Sequence, residues 1–172
     1  MTEHQITRYL RWLRESRGLD FHADTPEAYD ALWRWSTQDL PAFWGSIWDY
    51  FAIESPTPYE TVLADEKMPG ARWFPGAQVN YVRHLMRHAD AAHAAGHPAI
   101  VFQNEAMAER GELQQIAWPE LRAQAASLTA HLKRLGVQPG DRVAAYLPNT
   151  PAAIVAFLAC ASVGAIWSIC SP

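Results

Sequence analysis

Two pairs of histidines have a spacing that could support metal binding. His84 and His88, and again His93 and His97, lie four residues apart, which on a helix would place two imidazoles on one face. No Glu follows His84 directly, and no carboxylate or cysteine cluster supplies a further ligand. Solvent-facing histidines are therefore the favoured interpretation, and a metal site is the alternative.

A short run of charged residues could act in general acid–base catalysis. Asp65, Glu66 and Lys67 are adjacent, and neighbouring carboxyl and amino groups can exchange protons with a substrate. The run lies in a segment, 54–78, that Pro and Gly interrupt too often for a long helix or strand. An extended connection with a solvated charged loop is the favoured interpretation.

The turn "PNTP" at 148–151 follows a predicted strand and opens a predicted helix. Nucleotide-binding folds place several glycines at such a turn, because backbone N–H groups must approach a phosphate closely. This turn contains no glycine. Nucleotide chemistry, if the protein performs any, must therefore depend on residues elsewhere.

Three amphipathic helices are predicted in the first half of the chain. Thr25 and Pro26 are typical of the cap and first turn of the second helix. The apolar stripes, each predicting one buried face, are Ile6, Tyr9, Leu10 and Leu13, then Leu32 and Trp35, then Trp44, Ile47, Trp48 and Phe51. The tryptophans of this region, including Trp33, are expected to serve packing or docking rather than the stacking of sugars or bases.

The second half has alternating strands and helices. A helical period restarts at Val79, and the runs "PAIVFQN" and "LQQIAW" could pair as a hairpin with a long loop. A helix is predicted from Pro119 to Leu135, where Gly136 ends it. Its apolar stripe consists of Leu121, Ala125, Leu128, Leu132 and Leu135. The strand in "VQPGDRVAAYL" is apolar at almost every position, which is typical of burial on both faces.

The end of the chain predicts a parallel β–α–β unit. Thr150 and Pro151 begin a helix that is apolar nearly all round, and "AIWSIC" supplies the returning strand. The apolar run 152–169 contains Ser162 and Gly164, so it is interpreted as helix, turn and strand rather than as a membrane span.

Composition excludes several classes of protein. A hydrophobic content of 49% excludes a disordered tail. The 14 Lys and Arg against 18 Asp and Glu provide no basic field for nucleic acid or an anionic membrane. The N-terminus shows no secretory signal, so a cytoplasmic location is expected, with Cys160 and Cys170 as reduced core thiols.

Three passages resemble the acetyl-CoA synthetase-like branch of the adenylate-forming ligases. They are "FWGSIWDYF", "PYETVLADEKMPGARWFPGAQVNYVRHL" and "GDRVAAYLPNTPAAIVAFLACASVGAIWSICSP". The last is shared by many acyl-CoA ligases, whereas "KMPGARWFPGAQVNY" is similar to the acetoacetate-activating members. The resemblance implies an α/β fold with two parts: residues 1–95, a helical segment with a Pro- and Gly-rich connection, and residues 96–172, the start of the AMP-dependent ligase domain.

The resemblance also implies a reaction for the complete enzyme. It would use ATP and Mg²⁺ to convert acetoacetate into an acyl-adenylate, and would then transfer the acyl group to coenzyme A. The family's Ser/Thr/Gly-rich loop ending in Lys, its acidic motif and its catalytic Lys have no match here, since Lys67 and Lys133, the only lysines, stand in other contexts.

No catalytic, cofactor-binding or metal-binding residue is therefore assigned. The Phe-Gly-Gly that approaches coenzyme A in acetyl-CoA synthetases is replaced by Ser171-Pro172. The 172 residues alone are expected to be an inactive N-terminal portion, with an unpaired sheet edge through which they could self-associate. The alternatives are a ligase for acetate or propionate, and a non-catalytic truncated chain that docks on a partner.

Overall fold

The structure of the protein is a computed structural model that describes residues 3–21 and 26–172. The chain divides into two compact units, Met1–Val79 and Asn80–Pro172, here called the first and second units. The predicted cap at Thr25 lies outside the described residues. The mixture of helices and strands confirms the predicted α/β class.

The first unit is built from helices and one short hairpin. Its helices are α1 (Gln5–Arg17), α2 (Pro26–Gln38) and α3 (Leu40–Tyr50), and its strands β1 (Leu63–Asp65) and β2 (Arg72–Trp73) pair antiparallel. Gly18 ends α1 with a hydrogen bond from its N–H to the Arg14 carbonyl. Asp39 begins α3, because its side chain accepts a hydrogen bond from the Ala42 N–H at 3.1 Å.

The core of the first unit is rich in aromatic rings. Tyr9, Leu10 and Leu13 of α1 and Leu32 of α2 are buried, as their spacing predicted, whereas Ile6 is 40% exposed. Partly buried rings pack against this cluster: Trp12, Phe21, Trp35, Phe43 and Tyr50.

The predicted buried face of α3 is partly wrong. Trp44 is 41% exposed and Phe51 is 43% exposed, whereas Gly45 and Ser46 are buried. A Cβ atom at position 45 would lie 3.2 Å from Cγ2 of Val62, so the following chain packs closely on this side of the helix. The periodicity of large side chains does not reveal a face on which small residues allow close approach.

The second unit has a strand and helix order close to the prediction. Within Asn80–Pro172 the elements are α4 (Tyr81–Met86), α5 (Ala89–Ala94), β3 (Ile100–Phe102), α6 (Glu105–Glu109), β4 (Gln114–Ile116), α7 (Trp118–Arg134), β5 (Arg142–Tyr146), α8 (Pro151–Val163) and β6 (Ile166–Cys170). Strands β3 and β4 form the predicted antiparallel hairpin, and β5 and β6 are parallel, as predicted. The short helix α6 in the hairpin loop was not predicted.

The second unit has an aliphatic core. It consists of Val82, Ile116, Leu121, Ala125, Val155 and Leu158. In α7 the predicted stripe is buried at its start and fails at its end, because Leu135 lies just beyond the helix and is 68% exposed. None of the helices in the described part of the chain is both long and apolar enough to cross a bilayer.

The prediction that β5 is buried on both faces is wrong. Arg142, Ala144 and Tyr146 are exposed, whereas Val143 and Ala145 between them are half-buried. The described residues of the second unit cover only one face of the β5–β6 pair, so alternate side chains meet solvent. Helix α8 is likewise not enclosed all round: five of its residues are buried, but Ile154 is 42% exposed.

Candidate functional site

The carboxyl ends of β5 and β6 are the place where an open parallel sheet would bind a ligand. Tyr146 is opposite Cys170 in the parallel register, and the Leu147 N–H donates to the Cys170 carbonyl at 3.1 Å. The turn 147–150 and the terminal pair Ser171-Pro172 follow these strand ends. We call this region the carboxyl edge.

The turn at the carboxyl edge is not arranged as a phosphate loop. The Thr150 N–H donates to the Pro148 carbonyl at 2.8 Å, so this donor is already used within the turn. Pro148 and Pro151 have no N–H. Thr150 is the N-cap of α8 and its side chain makes no capping hydrogen bond. The geometry therefore agrees with the sequence interpretation that phosphate binding depends on other residues.

The histidine pairs do not lie on shared helix faces. His84 is in α4, whereas His88 is the N-cap of α5. His93 is in the last turn of α5, and His97 lies beyond the end of that helix. A spacing of four aligns two side chains only when one helix continues through both residues. Among the described residues, no group of three or more His, Cys, Asp or Glu could hold a metal ion.

The run Asp65, Glu66 and Lys67 forms a turn. The Lys67 N–H donates to Oδ1 of Asp65 at 3.0 Å, and the side chains of Glu66 and Lys67 are exposed. The Asp65 carboxylate thus orders the chain at the end of β1. This arrangement agrees with a solvated loop.

The two cysteines differ in environment. Cys160 is 1% exposed in α8, and burial raises the pKa of its thiol. Cys170 is exposed at the end of β6, so the prediction of a core thiol is wrong for this residue. It lies on the exposed face of the β5–β6 pair. The apolar sequence of the strand had predicted that this face would be covered.

Sequence reasoning missed Asn80. Its Oδ1 accepts from the Arg83 N–H at 3.1 Å and caps α4, while its Nδ2 donates to the Ala161 carbonyl in α8 at 2.9 Å. This side chain therefore begins one helix and binds the last turn of another. An Asn directly before an apolar helical run is a capping signal, but its second bond joins residues 81 positions apart.

A buried polar pair in the first unit was also missed. The Tyr9 hydroxyl and Oγ of Ser46 lie 2.6 Å apart, and Oγ of Ser46 also donates to the Phe43 carbonyl at 2.6 Å. Desolvation by burial raises the pKa of Tyr9, although the hydrogen bond to Ser46 opposes that change. Ser46 gives no signal in the sequence, because it lies between large aromatic residues of α3.

Protein-family models match two adjacent parts of the chain. Residues 29–85 match the model described as the acetyl-coenzyme A synthetase N-terminus. Residues 87–172, half of the chain, match the model described as AMP-binding enzyme.

Individual relatives match a similar region. An acetoacetyl-coenzyme A synthetase from Rhizobium meliloti (strain 1021) is 35% identical over 97% of this chain and 24% of its own length. A malonamoyl-CoA synthetase from Penicillium aethiopicum is 36% identical over 84% of this chain and 20% of its own. The solved structure of an acetoacetyl-CoA synthetase from Streptomyces lividans matches 97% of this chain and 24% of its own, with 45% identity and a TM-score of 0.83. The chain thus spans about a quarter or less of the length of these proteins.

Proposed function

The chain belongs to the AMP-binding enzyme family, and from this membership we propose that it forms the N-terminal portion of an acetoacetyl-CoA synthetase. The main support is the match in structure and sequence to the Streptomyces lividans enzyme, which extends over 97% of this chain. Because this match takes in only 24% of that enzyme, the reaction is proposed for the complete protein.

The complete protein would form a thioester in two steps. In the first step, a carboxylate oxygen of acetoacetate bonds to the α-phosphorus of ATP, and pyrophosphate leaves. In the second step, the sulfur of coenzyme A bonds to the acyl carbon, AMP leaves, and the thiol proton passes to a base. Positively charged groups would stabilise the phosphate charge during the first step.

Mg²⁺ would supply part of that charge stabilisation. The described residues of this chain do not fit the ion, since they contain no group of three or more carboxylate, histidine or cysteine side chains that could hold a metal. We therefore assign no step through Mg²⁺ to these residues, and the chain alone is expected to be inactive.

The role proposed for this portion is structural support of the ligase domain. Strands β5 and β6 are held in parallel register, and Asn80 joins α4 to the last turn of α8, directly before β6. Whatever follows the carboxyl edge in the complete enzyme would start from these fixed strand ends. The division at residues 95 and 96 stays a prediction.

Choice of the acyl substrate is proposed to depend on residues outside this portion. The malonamoyl-CoA synthetase is 36% identical to the chain and the Rhizobium enzyme 35%, although their names give different acyl groups. Malonamate carries an NH₂ group where acetoacetate carries CH₃, so the two acids have similar size and shape. Short 3-oxo acids are the substrate class that this similarity favours over acetate and propionate.

The function can be tested with chimeric enzymes. Residues 1–172 would replace the matching portion of the Streptomyces lividans acetoacetyl-CoA synthetase and, separately, that of the malonamoyl-CoA synthetase. Each chimera is expected to form its parent's acyl-CoA with the parent's preference. A change of preference that follows the exchanged residues, or acetoacetate-dependent ATP–pyrophosphate exchange by the 172 residues alone, would contradict the proposal.

Self-association of the isolated chain is a further part of this proposal. Tyr146 and Ile166, on the same face of the β5–β6 pair, are 71% and 51% exposed, and exposed apolar surface favours association. Light scattering is expected to show a mass above that of a monomer, reduced by Tyr146→Ser with Ile166→Thr. A monomer at every concentration would contradict this part. A cytoplasmic location and a role in ketone-body and lipid metabolism also stay predictions.

A further inference from the structure

The first unit contains an apolar cavity between α1, α2 and α3. Its volume is about 360 Å³, within the range of about 300–1,000 Å³ that is typical of small-molecule sites. Tyr9 and Leu32 are buried lining residues, whereas Tyr29 and Trp33, also in the lining, are 57% and 54% exposed. The cavity therefore has a closed floor and a mouth that a ligand could enter.

The cavity wall carries no formal charge. Among the described residues, no Asp, Glu, Lys, Arg or His lines it, and its polar members are Gln5, Ser36 and tyrosine hydroxyls. A charged group placed there would lose water without gaining an opposite charge, which costs free energy. The wall therefore favours an uncharged ligand.

Aromatic rings reach the cavity from each of the three helices. Tyr9 belongs to α1, Trp33 to α2 and Tyr50 to α3, and the rings of Tyr9 and Tyr50 meet edge to face at 5.0 Å. Rings arranged in this way offer both faces and edges to another flat ring. The wall therefore favours a planar aromatic ligand.

One polar group is suited to orienting such a ligand. Nε2 of Gln5 donates to the Tyr50 hydroxyl at 3.0 Å. Because this hydroxyl accepts that bond, its own proton can be donated to another acceptor. The Tyr9 hydroxyl, in contrast, is paired with Ser46 at 2.6 Å.

We propose that the cavity between α1, α2 and α3 binds an uncharged, planar aromatic molecule that carries a hydrogen-bond acceptor such as a carbonyl. This activity goes beyond the proposed function, because acetoacetate, ATP and coenzyme A are all anions. Coumarin, a flat neutral ring system with one carbonyl, represents the ligand class. Coumarin-3-carboxylate has the same rings with one negative charge.

The matched pair of ligands tests the absence of charge. Titration calorimetry with the purified 172-residue chain is expected to show coumarin binding at least about tenfold more tightly than coumarin-3-carboxylate, because the cavity offers the carboxylate no partner. Equal affinities would overturn the proposal. So would the absence of coumarin binding up to its solubility limit.

Variants locate the site. Tyr50→Phe removes the proposed donor and is expected to weaken coumarin binding about threefold to tenfold. Tyr59→Phe removes a hydroxyl from the same unit outside the cavity and is expected to bind as the wild type does. Equal losses in both variants would overturn the assignment of the donor and with it the proposal.

Filling variants separate this cavity from the exposed β5–β6 face. Ser36→Phe places a ring in the cavity and is expected to abolish binding. Ile6→Trp does the same from α1 and supplies the test if Ser36→Phe fails to fold. Unchanged binding in the folded filling variants would overturn the proposal, as would coumarin affinity that falls with rising protein concentration, because a second copy of the chain would then occupy the cavity.

Discussion

The two units bury their apolar surface in different ways. In the first unit, large aromatic rings surround buried Leu13 and Leu10. In the second unit, buried alanines such as Ala125 and Ala159 bring helices together, and the core is aliphatic. Interlocking rings have few alternative arrangements, whereas aliphatic side chains change rotamer more easily. We therefore expect the first unit to lose more stability than the second when a buried side chain is truncated.

Truncation of matched leucines gives the largest expected effect. Leu13 is 0% exposed and Leu158 is 2% exposed. Leu→Ala in a core costs about 2–5 kcal/mol, depending on how far the surroundings collapse. We expect Leu13→Ala near the upper end and Leu158→Ala near the lower end, because rings around Leu13 cannot fill the space.

Urea unfolding would measure both losses, and hydrogen exchange would locate them. Loss of protection is expected in α1 and α3 for Leu13→Ala, and in α7 and α8 for Leu158→Ala. A larger loss for Leu158→Ala would show that ring packing does not determine the tolerance of these cores.

The sequence predicted most helices correctly, because large apolar residues recur at helical spacing. It failed at α3, where the buried positions are Gly45 and Ser46, and at β5, where one face is exposed. A pattern of large apolar residues does not predict which small residues are buried in close contacts. An apolar strand predicts that both of its faces are covered. It does not show whether these 172 residues cover both of them.

The candidate sites were less predictable than the fold. His84 and His88 have the spacing of a helical pair, but the chain leaves α4 between them. The cavity of the first unit combines residues such as Gln5, Trp33 and Tyr50 from three helices. The packing that brings them together depends on contacts between residues far apart in sequence.

Two glycines extend the comparison to the loops. Gly76 has φ +90°, and a Cβ there would lie 3.0 Å from the Pro58 carbonyl oxygen. Gly164, at the end of α8, has φ +84°, and its Cβ would meet Pro139 at an ordinary distance of 3.4 Å. Left-handed backbone costs alanine about 1–2 kcal/mol, and overpacking adds about 1–3 kcal/mol. Gly76→Ala is therefore expected to cost about 3 kcal/mol and Gly164→Ala about 1–2 kcal/mol.

Thermal unfolding of both glycine variants checks this order. The close approach at Gly76 involves backbone, which cannot rotate away as a flexible side chain can. Equal losses would indicate that the Pro58 segment shifts to admit a methyl group. The Pro- and Gly-rich connection would then adapt to a substitution more easily than the aromatic core of the first unit.

Two helix caps differ in their hydrogen bonds: one side chain bonds only within its own helix, and the other also joins two helices. Asp39 caps α3 through the Ala42 N–H, whereas Asn80 caps α4 and also binds the Ala161 carbonyl. Asp39→Ala is expected to cost about 1 kcal/mol. Asn80→Ala is expected to cost about 2 kcal/mol, because a hydrogen bond is lost together with the cap.

Asn80→Asp is the matched control for this pair. Its carboxylate can still accept from the Arg83 N–H but cannot donate to the Ala161 carbonyl. Its midpoint of urea unfolding is expected to lie between those of the wild type and Asn80→Ala. A midpoint equal to that of the wild type would show that the bond to α8 contributes no stability.

The smallest expected effect concerns the buried hydroxyl of the first unit and its dependence on pH. Burial raises the pKa of Tyr9 above its ordinary value of 10.0, so above that pH the unfolded chain loses this proton before the folded chain does. The folded state then binds more protons, and stability falls as pH rises through this window.

Tyr9→Phe is expected to lose about 1 kcal/mol at pH 7 with its hydrogen bond, while Ser46 keeps its bond to the Phe43 carbonyl. As the pH rises above 10.0, however, the variant should lose less stability than the wild type, because the Tyr9 contribution is absent. Tyr146→Phe alters a side chain that is 71% exposed. Its midpoint of urea unfolding should follow that of the wild type across the same pH range. Parallel losses for all three proteins would indicate that the pKa of the Tyr9 hydroxyl is the same in the folded chain as in the unfolded one.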